Sequence, residues 1–540
     1  MAGDAVPPPG AVDEEVKPYK IHIPSKHLEL TRQKLELTRL PHEGAEPQIE
    51  PLIDYWLESY SFRDTETKLN TNIPQFRTSL PVSSSSSASS SSSPESIRIH
   101  FIHSPSSSPS GGPSATPLLL LPPFPLTNLS LYPHITSSSL TSEFNTVIPA
   151  YPGTGFSDSL PSSSTSVLES TAHLFNTLMT QRLGYKTYLV SVTSPNSVDN
   201  ILAQHLVSFY PESCVGANLI NPALEKPKLA KDPWEWSKYL VARFFRGGLA
   251  GYSEEDFEQQ QQQSVRQKGG DEEKGGDGVE LQEPDTISYA LCDSPVGTLA
   301  AVVKGLKSKN IGEAQGKKFS EEELVTLTNL AWLPGPEGAV RFAVAVGQEK
   351  KLSTPTKEKK NKRRVSVTVF TGGAGKKYCP PAWANTEYTL ANTQRVKGSS
   401  PGLLLAFERP EVILEGVRGL VKGSEKLDTR AAKKEKKKMQ GDTETAPFEG
   451  VLIHPATEEQ EVTTPQDKLI QPPALEMSAI SSPASGETAV AGMVDVRGKG
   501  KANTTAGDYL EPPAPIRFVS SDGESPDTLV ENSPPPLDRA

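Results

Sequence analysis

Cysteine and long apolar stretches are both scarce in this sequence. Its 540 residues hold three cysteines, and Cys214, Cys292 and Cys379 lie far apart without a CxxC pair. Their number and spacing argue against a disulfide framework and a structural zinc site, and favour a reducing compartment. Apolar runs such as residues 118–121 are far too short to cross a bilayer, and residues 1–16 lack the basic and apolar regions of a signal peptide. We therefore expect a cytoplasmic protein without a membrane partner.

The chain is also poor in apolar residues overall. Hydrophobic residues make up 35% and aromatic residues 7%, whereas there are 49 prolines and 40 glycines. A uniformly globular chain would be richer in apolar residues, so we interpret the composition as an ordinary core diluted by long polar inserts. The 55 basic and 65 acidic residues give a net charge of −10. This charge argues against a protein that coats nucleic acid.

Shifts in composition place the polar inserts. Tracts rich in serine, proline, glutamine, glycine or lysine cannot bury enough apolar surface to offset the entropy lost on ordering. Such tracts predict disorder at residues 1–16, 104–116, 254–283 and 423–540, and a basic insert at residues 347–364. Each internal insert lies between periodic segments, where surface loops tolerate extra length at little energetic cost.

The segments between the inserts have the pattern of an α/β protein. Nearly continuous apolar runs at residues 117–121 and 188–192 are typical of central parallel strands that are covered on both faces. The alternating residues 97–102 predict a further strand. Helical periodicity at residues 166–183 and 197–210 separates such strands. The alternation of strands and helices predicts a doubly wound, mostly parallel sheet.

Several passages match the motifs of one family, in the family's order. They are Lys17-Pro-Tyr-Lys-Ile-His-Ile-Pro-Ser25, residues 35–41 and 55–76, Ile99-His-Phe-Ile-His103, Tyr151-Pro-Gly-Thr-Gly-Phe-Ser157, Leu183-Gly-Tyr185, residues 285–297 and Ala406-Phe-Glu-Arg-Pro-Glu411. Together they resemble the microsomal-type epoxide hydrolases of the α/β-hydrolase superfamily, and they cover most of residues 17–422. A single glycine motif is weak because any tight turn can produce it, but the ordered set is specific.

The resemblance implies an α/β-hydrolase fold with a helical cap. An N-terminal segment at residues 17–80 would wrap around the catalytic core. The core itself would span residues 97–225 and 331–422, with the cap region at residues 226–330 between its two halves. No cofactor or metal ion is expected, and the sequence holds no HExxH motif or cysteine pair.

The family reaction, as the resemblance implies it, needs five side chains. An aspartate on the nucleophile elbow attacks the epoxide carbon and forms a covalent ester. Two cap tyrosines hydrogen-bond the epoxide oxygen and protonate it as the ring opens. A histidine that is oriented by an acid then activates the water that hydrolyses the ester. Backbone N–H groups stabilise the oxyanion of that second step.

The positions that match the nucleophile elbow carry other residues here. The family's Gly-Gly-Asp-Trp-Gly reads Val192-Thr-Ser-Pro-Asn196, which puts Ser194 at the nucleophile position. Pro195 follows it and has no N–H to contribute to the oxyanion hole. The second oxyanion element reads Pro122-Pro-Phe-Pro125 where the family has His-Gly-Trp-Pro, and this match places Phe124 there.

The remaining catalytic positions are replaced as well. Counting back from the motif at residues 408–411 puts Leu403 at the histidine position, and Gly373 falls at the position of the orienting acid. The cap tyrosine positions match Ala343 and Gly276.

Tyr252 is the alternative for the second cap tyrosine, because the inserts disturb the count in that region.

The distribution of histidine provides a test that needs no alignment. The nine histidines leave residues 206–453 without one. In α/β-hydrolases the catalytic histidine follows the nucleophile and the acid along the chain. Because His454 lies in the predicted tail, we expect no ordinary catalytic histidine. His100 and His103 are interpreted as structural hydrogen-bonding residues.

These replacements predict a pseudoenzyme, that is, a non-catalytic family member that binds a small hydrophobic ligand in a residual pocket, or a protein partner. Two alternatives stay open: an active epoxide hydrolase that forms diols through a non-standard site, and a serine esterase that uses Ser194. The basic runs at residues 357–364 and 433–438 leave nuclear import open beside the cytoplasm.

Overall fold

A computed structural model describes most of the chain between residues 15 and 443. The described residues are 15–41, 48–82, 95–106, 115–136, 140–161, 164, 166–268, 284–308, 319–349, 363–372, 378–398, 400 and 402–443. All of them belong to one compact unit, Met1–Phe448. Most of the predicted disordered segments lie outside the described residues, as do Gly276 and Gly373.

Nine strands of the described residues form one mixed sheet. They are β1 (Lys17–Pro18), β2 (Gln75–Pro81), β3 (Ser96–Ser104), β4 (Pro117–Leu121), β5 (Asn145–Pro149), β6 (Tyr188–Val192), β7 (Cys214–Ile220), β8 (Arg364–Phe370) and β9 (Thr389–Val396). Their order across the sheet is β1-β2-β3-β5-β4-β6-β7-β8-β9. Strands β4 to β9 run parallel to one another, whereas β1, β2 and β3 join the sheet antiparallel. The predicted, mostly parallel sheet is confirmed.

The central strands are buried on both faces, as their continuous apolar runs predict. Every residue of β6 is buried, and so are the four leucines of β4. The two strands are direct neighbours, with Leu118 opposite Leu189 and Leu121 opposite Val192. The chain segments that follow β4 and β6 therefore leave the sheet at adjacent points on its carboxyl edge.

Fifteen α-helices of the described residues surround the sheet. They are α1 (Ser25–Glu36), α2 (Ile49–Glu58), α3 (Phe62–Asn72), α4 (Asn128–Thr136), α5 (Leu140–Glu143), α6 (Val167–Thr177), α7 (Ser197–Phe209), α8 (Pro233–Phe244), α9 (Glu254–Lys268), α10 (Pro284–Asp293), α11 (Pro295–Ser308), α12 (Glu321–Trp332), α13 (Glu337–Gln348), α14 (Leu405–Glu408) and α15 (Pro410–Thr443). A π-helical turn, Leu178–Arg182, extends α6. The helices predicted at residues 166–183 and 197–210 are thus confirmed.

Polar side chains determine where several helices begin. The Asn196 side chain accepts a hydrogen bond from the Val198 N–H at 3.1 Å, which satisfies a backbone donor at the start of α7. At the start of α12, the Ser320 hydroxyl accepts the Glu323 N–H, and the Glu323 carboxylate accepts the Ser320 N–H. This reciprocal pair is a capping box.

Helices α8 to α13 form an insertion between β7 and β8, in the place of the expected cap. The predicted border between cap and core at residue 331 falls inside α12. The buried side chains of α12 continue to Trp332, and α13 then returns across the sheet edge with Phe342 buried. The second half of the core therefore begins at β8.

Helix α9 corrects the prediction of a disordered insert at residues 254–283 for its first fifteen residues. The Asp256 carboxylate on its first turn is fully buried, and accepts hydrogen bonds from Arg395 Nη2 at 2.8 Å and from the Tyr378 hydroxyl at 2.5 Å. The glutamine run that follows has no apolar periodicity. The sequence pattern therefore missed a helix that a buried ion pair holds against β9.

Helix α15 corrects the start of the predicted tail, because residues 423–443 continue the helix. Its first turns pack into the core through buried side chains such as Val417 and Leu420. Beyond them the sequence is rich in lysine, which has high intrinsic helix propensity. An ion pair between Asp428 and Arg364 of β8 holds this part against the sheet. The prediction relied on apolar periodicity alone.

The N-terminal segment packs on the cap as well as on the sheet. Leu52 and Trp56 of α2 share an apolar cluster with Leu299 of α11. The indole N–H of Trp332 donates to the Thr31 hydroxyl at 2.9 Å, which joins α12 to α1. Strands β1 and β2 extend the sheet. The segment therefore connects the cap to the core, as a wrapping segment would.

Among the described residues, no single helix is long and apolar enough to cross a membrane. Helices α10 and α11 meet that test only as a pair, by length and composition, and a bend of 111° separates them. Leu299 and Val303 of α11 are buried inside the protein, as in the core helix of a globular domain.

Candidate active site

The candidate site lies at the carboxyl edge of the parallel strands, where open α/β sheets bind their ligands. The turn after β6 is tied to the segment after β4 by two hydrogen bonds. The Thr193 hydroxyl donates to the Leu121 carbonyl at 2.7 Å, and Asn196 Nδ2 donates to the Phe124 carbonyl at 2.6 Å. The structure therefore brings together the predicted nucleophile position, Ser194, and the predicted oxyanion position, Phe124.

Ser194 is fully buried in this turn. Its hydroxyl donates to Asp199 Oδ2 at 2.8 Å, and its oxygen accepts the Asn196 N–H at 3.3 Å. The hydroxyl proton thus points at the Asp199 carboxylate. Among the described residues, no histidine contacts Ser194.

Asp199, on the first turn of α7, is the polar centre of the site. Its carboxylate is fully buried. Besides the Ser194 hydroxyl, it accepts the Tyr151 hydroxyl at 2.7 Å and the Phe124 N–H at 3.3 Å, both on Oδ1. The N-terminus of α7 also favours a negative charge at this position.

The chemistry of Tyr151 follows from this contact. Burial, and then the neighbouring Asp199 carboxylate, raise the pKa of Tyr151 well above its usual value. The phenol therefore stays protonated and donates to Asp199. The sequence reasoning missed Asp199, because an acidic residue in the first turn of a helix is usually an exposed partner of the helix dipole.

The backbone of the turn differs from that of a strained nucleophile elbow. Among the described residues other than glycine, positive φ values occur at Asn221, Arg246 and Ala250, and none occurs in residues 193–196. Asn196 has an extended backbone, with φ −68° and ψ 142°. The turn therefore lacks the unusual backbone conformation that exposes a nucleophile above the sheet.

Neither predicted oxyanion position offers a free N–H. Pro195 has none, and the Phe124 N–H donates to Asp199 at 3.3 Å. An oxyanion hole needs donors aimed at the place where the negative charge develops. Here the carboxyl group of Asp199 already accepts the Phe124 N–H.

Aromatic rings cover the site from the cap side. Phe342 of α13 packs against Phe124 and Tyr151, with ring centroids 5.3 Å and 5.6 Å apart, and Phe124 and Tyr151 are 5.5 Å apart. All three side chains are buried. The adjacent residue on α13 is Ala343, a predicted cap tyrosine position, and it is only partly buried.

Two glycines bring α13 into direct backbone contact with the loop after β5. A Cβ atom at Gly338 would lie 2.3 Å from the Gly153 carbonyl oxygen, which is too close for any side chain. Gly153 has a φ of +75°, a conformation that favours glycine. The motif at residues 151–157 therefore serves as the surface on which the cap helix is held.

Comparisons with known proteins agree with this architecture. Residues 16–131 match the family model described as "Epoxide hydrolase N terminus". Epoxide hydrolase 1 of Sus scrofa is 26% identical over 443 residues, which cover 76% of this chain and 89% of the relative. The juvenile hormone epoxide hydrolase of Bombyx mori is 24% identical over 445 residues, which cover 75% of this chain and 86% of the relative.

Solved structures show the same fold. The crystal structure of juvenile hormone epoxide hydrolase from the silkworm Bombyx mori matches with a TM-score of 0.56 at 21% identity, and covers 78% of this chain and 96% of that chain. The Aspergillus niger epoxide hydrolase matches with a TM-score of 0.53 at 20% identity, and covers 77% of this chain and 98% of that chain.

Over about three quarters of its length the chain is similar to epoxide hydrolases, and residues 16–131 match the model of that family's N terminus. Its fold is that of the α/β-hydrolase superfamily, as the sequence motifs predict. The turn after β6 contains the predicted nucleophile position, and helices α8 to α13 lie in the place of the predicted cap.

The predicted histidine position is occupied by an apolar residue, Leu403. Leu403 is buried in a short 3-10 turn, Gly402–Leu404, that precedes α14. A leucine side chain carries no exchangeable proton and cannot activate water. The acid position, Gly373, and one cap tyrosine position, Gly276, lie outside the described residues.

Tyr252, the alternative cap tyrosine, belongs to a different part of the cap. It packs in an apolar cluster with Tyr239 and Trp383, apart from the rings that cover Ser194. Burial, the largest influence, raises the pKa of Tyr252. Its hydroxyl makes no hydrogen bond within the described part of the chain. The structure therefore does not bring Tyr252 together with the predicted catalytic positions.

The histidines of β3 have structural partners. His100 is fully buried, with Nε2 3.2 Å from Gln75 Oε1 and Nδ1 3.3 Å from Asn128 Nδ2. Burial lowers the pKa of His100 to about 3, so the ring is neutral. His103 Nε2 lies 2.9 Å from the Tyr185 hydroxyl. These contacts agree with the interpretation of both residues as structural.

Proposed function

We propose that this chain is a non-catalytic member of the epoxide hydrolase family, which uses the hydrolase scaffold to bind a ligand or a protein partner. The observation that carries the proposal is the state of Ser194. Its hydroxyl is buried and donates to Asp199 at 2.8 Å. In that arrangement Ser194 presents neither a carboxylate nor an activated alkoxide to an epoxide carbon.

The second half of the family reaction also lacks its groups. Hydrolysis of an ester intermediate needs a base that activates water and donors that stabilise the oxyanion. Leu403 supplies no base. Pro195 supplies no N–H, and the Phe124 N–H already donates to the Asp199 carboxylate. Loss of both halves together supports a non-catalytic role more strongly than one replaced nucleophile would.

The retained scaffold supports a binding role. The cap and the N-terminal segment are both packed in place, and the aromatic rings of Phe124, Tyr151 and Phe342 meet between cap and core. We propose a small hydrophobic molecule as the ligand, in a residual pocket beside these rings. In a thermal-shift screen of hydrophobic compounds, a true ligand raises the melting temperature with its concentration, because it binds the folded state alone.

A diol-formation assay tests the loss of catalysis. Purified chain with aryl and terminal epoxides should give no diol above a buffer blank. The Ser194→Asp variant should also give none, because the water-activating base would still be missing. Clear turnover by the unmodified chain would contradict the proposal and support an epoxide hydrolase with a non-standard site.

The contact between Ser194 and Asp199 makes one further alternative testable, a serine esterase. A fluorophosphonate probe should not label the chain, because the serine is buried and its proton faces a carboxylate. The Ser194→Ala variant defines the background. Labelling that disappears in this variant would establish a reactive serine and refute the non-catalytic proposal.

A further inference from the structure

Large apolar side chains are exposed to solvent around α8. Seven of the eleven such side chains in the described part of the chain lie within residues 229–249. They are Leu229, Trp234, Leu240, Val241, Phe244, Phe245 and Leu249. Scattered exposed apolar residues are normal in proteins, whereas a concentration of this kind marks an interaction surface.

Four of these side chains belong to α8 itself, namely Trp234, Leu240, Val241 and Phe244, and they lie away from its buried face. Glu235, Tyr239 and Ala242 are buried, with the spacing of four and three residues that defines the inner face. Trp234 and Phe244 lie outside this inner face, and they are 69% and 82% exposed. The inner face packs on Trp383 and Tyr252 in its own apolar cluster, so the outer face is the one without a partner in the described chain.

Basic residues border this outer face. Residues 225–246 hold six basic and three acidic residues, in a chain whose net charge is −10. The three acidic side chains are engaged within the protein, and Glu225 pairs with Lys228 and Lys231. Asp232 accepts the Glu235 N–H at 3.2 Å at the start of α8, and the buried Glu235 carboxylate pairs with Lys238 at 2.8 Å. Arg243 and Arg246 are exposed. The surface that α8 presents is therefore apolar and positively charged.

We propose that α8 binds the surface of an anionic lipid bilayer. Its apolar face would enter the boundary between headgroups and acyl chains, and the bordering lysines and arginines would contact lipid phosphates and carboxylates. The helix has twelve residues, so its length of about 18 Å is too short to span the bilayer, and it lies along the surface instead.

The distribution of charge around α8 favours a lipid surface over a protein as its binding partner. Protein interfaces are depleted in lysine at their core, whereas interfacial helices combine Trp, Phe and Leu with flanking Lys and Arg. Four lysines, at positions 226, 228, 231 and 238, lie within or just before α8. The expectation of no membrane partner rested on the lack of a spanning segment, and a surface-bound helix needs none.

Vesicle flotation tests the proposal on the full chain. Vesicles of phosphatidylcholine with phosphatidylserine should carry the protein upward, and vesicles of phosphatidylcholine alone should not. The double variant Phe244→Ser/Phe245→Ser should lower the partition coefficient about tenfold or more, because two insertable rings are lost. The control is Tyr289→Ser, which removes an aromatic ring that is 79% exposed outside this face and should not change flotation.

Several outcomes would overturn the proposal. They are no flotation with phosphatidylserine vesicles, equal flotation with both vesicle types, and an equal loss in the Tyr289→Ser control. Self-association that the double variant abolishes, without any flotation, would assign the face to a second copy of the chain. Because both phenylalanines are exposed, the double variant should melt at the temperature of the unmodified chain, and this melt distinguishes lost binding from lost folding.

Discussion

Three hydrogen-bond donors from three elements converge on the carboxylate of Asp199. The Ser194 hydroxyl comes from the turn after β6, the Tyr151 hydroxyl from the loop after β5, and the Phe124 N–H from the segment after β4. These three elements are joined to one another through the buried carboxyl group of Asp199, so at the scale of single residues this group is a structural contact.

Replacement of Asp199 should therefore affect stability strongly. Asp199→Ala leaves three buried donors without their acceptor, and we expect the free energy of unfolding to fall by about 3 kcal/mol or more. Asp199→Asn should cost less, because an amide oxygen still accepts. The control is Asp64→Ala, which removes an exposed acid from the first turn of α3 and should cost about 0.5 kcal/mol. Urea unfolding measures the free energy of unfolding of all three variants. Equal losses of stability in Asp199→Ala and Asp64→Ala would contradict the role of Asp199.

Helix α13 is the element that closes the candidate site. It delivers Phe342 onto Phe124 and Tyr151, and its first turn rests on the Gly153 backbone through Gly338. Two backbones in contact leave no room for a side chain, so the position of the helix depends on glycine at both places.

Gly338→Ala should consequently displace α13 or strain the loop. Overpacking of this kind costs about 1–3 kcal/mol, and we expect a loss of that size in the free energy of unfolding. Gly347→Ala on the same helix is the matched control. Its added Cβ meets nothing within 4 Å, and alanine favours a helix over glycine by up to about 1 kcal/mol, so this variant should be neutral or stabilised. Identical melting temperatures for the two variants would refute the close contact.

At the scale of the whole molecule, apolar periodicity predicts the sheet and the helices that cover it. β4 and β6 could be predicted because continuous apolar runs need cover on both faces. Helix α9 could not, because polar contacts with residues far away in the sequence, such as the ion pair between Asp256 and Arg395, hold it. In the site, Ser194 and Leu403 could be located from motif order. Asp199 could not, because its role depends on donors that lie far apart in the sequence and meet only in the fold.

Buried histidines predict how the stability of the whole molecule changes with pH. Burial lowers the pKa of His100 from 6.5 to about 3, and that of His205 from 6.5 to about 4. The unfolded chain therefore binds these protons at a higher pH than the folded chain does. The resulting stabilisation is complete above about pH 6.5 and is lost progressively as the pH falls towards the folded-state values.

His100 is the residue with which to measure this effect, because it is fully buried. Between about pH 7.5 and pH 5, its titration should remove about 2 kcal/mol from the free energy of unfolding. His100→Gln keeps an uncharged hydrogen-bonding side chain. Its free energy of unfolding, measured with urea at the two pH values, should therefore fall by about 2 kcal/mol less than that of the unmodified chain. His27→Gln, at an exposed position on α1, should retain the full fall. If His100→Gln shows the full fall as well, His100 is protonated in the folded protein near its ordinary pKa. The buried surroundings of His100, formed by Gln75 and Asn128, must then open to solvent when it is protonated.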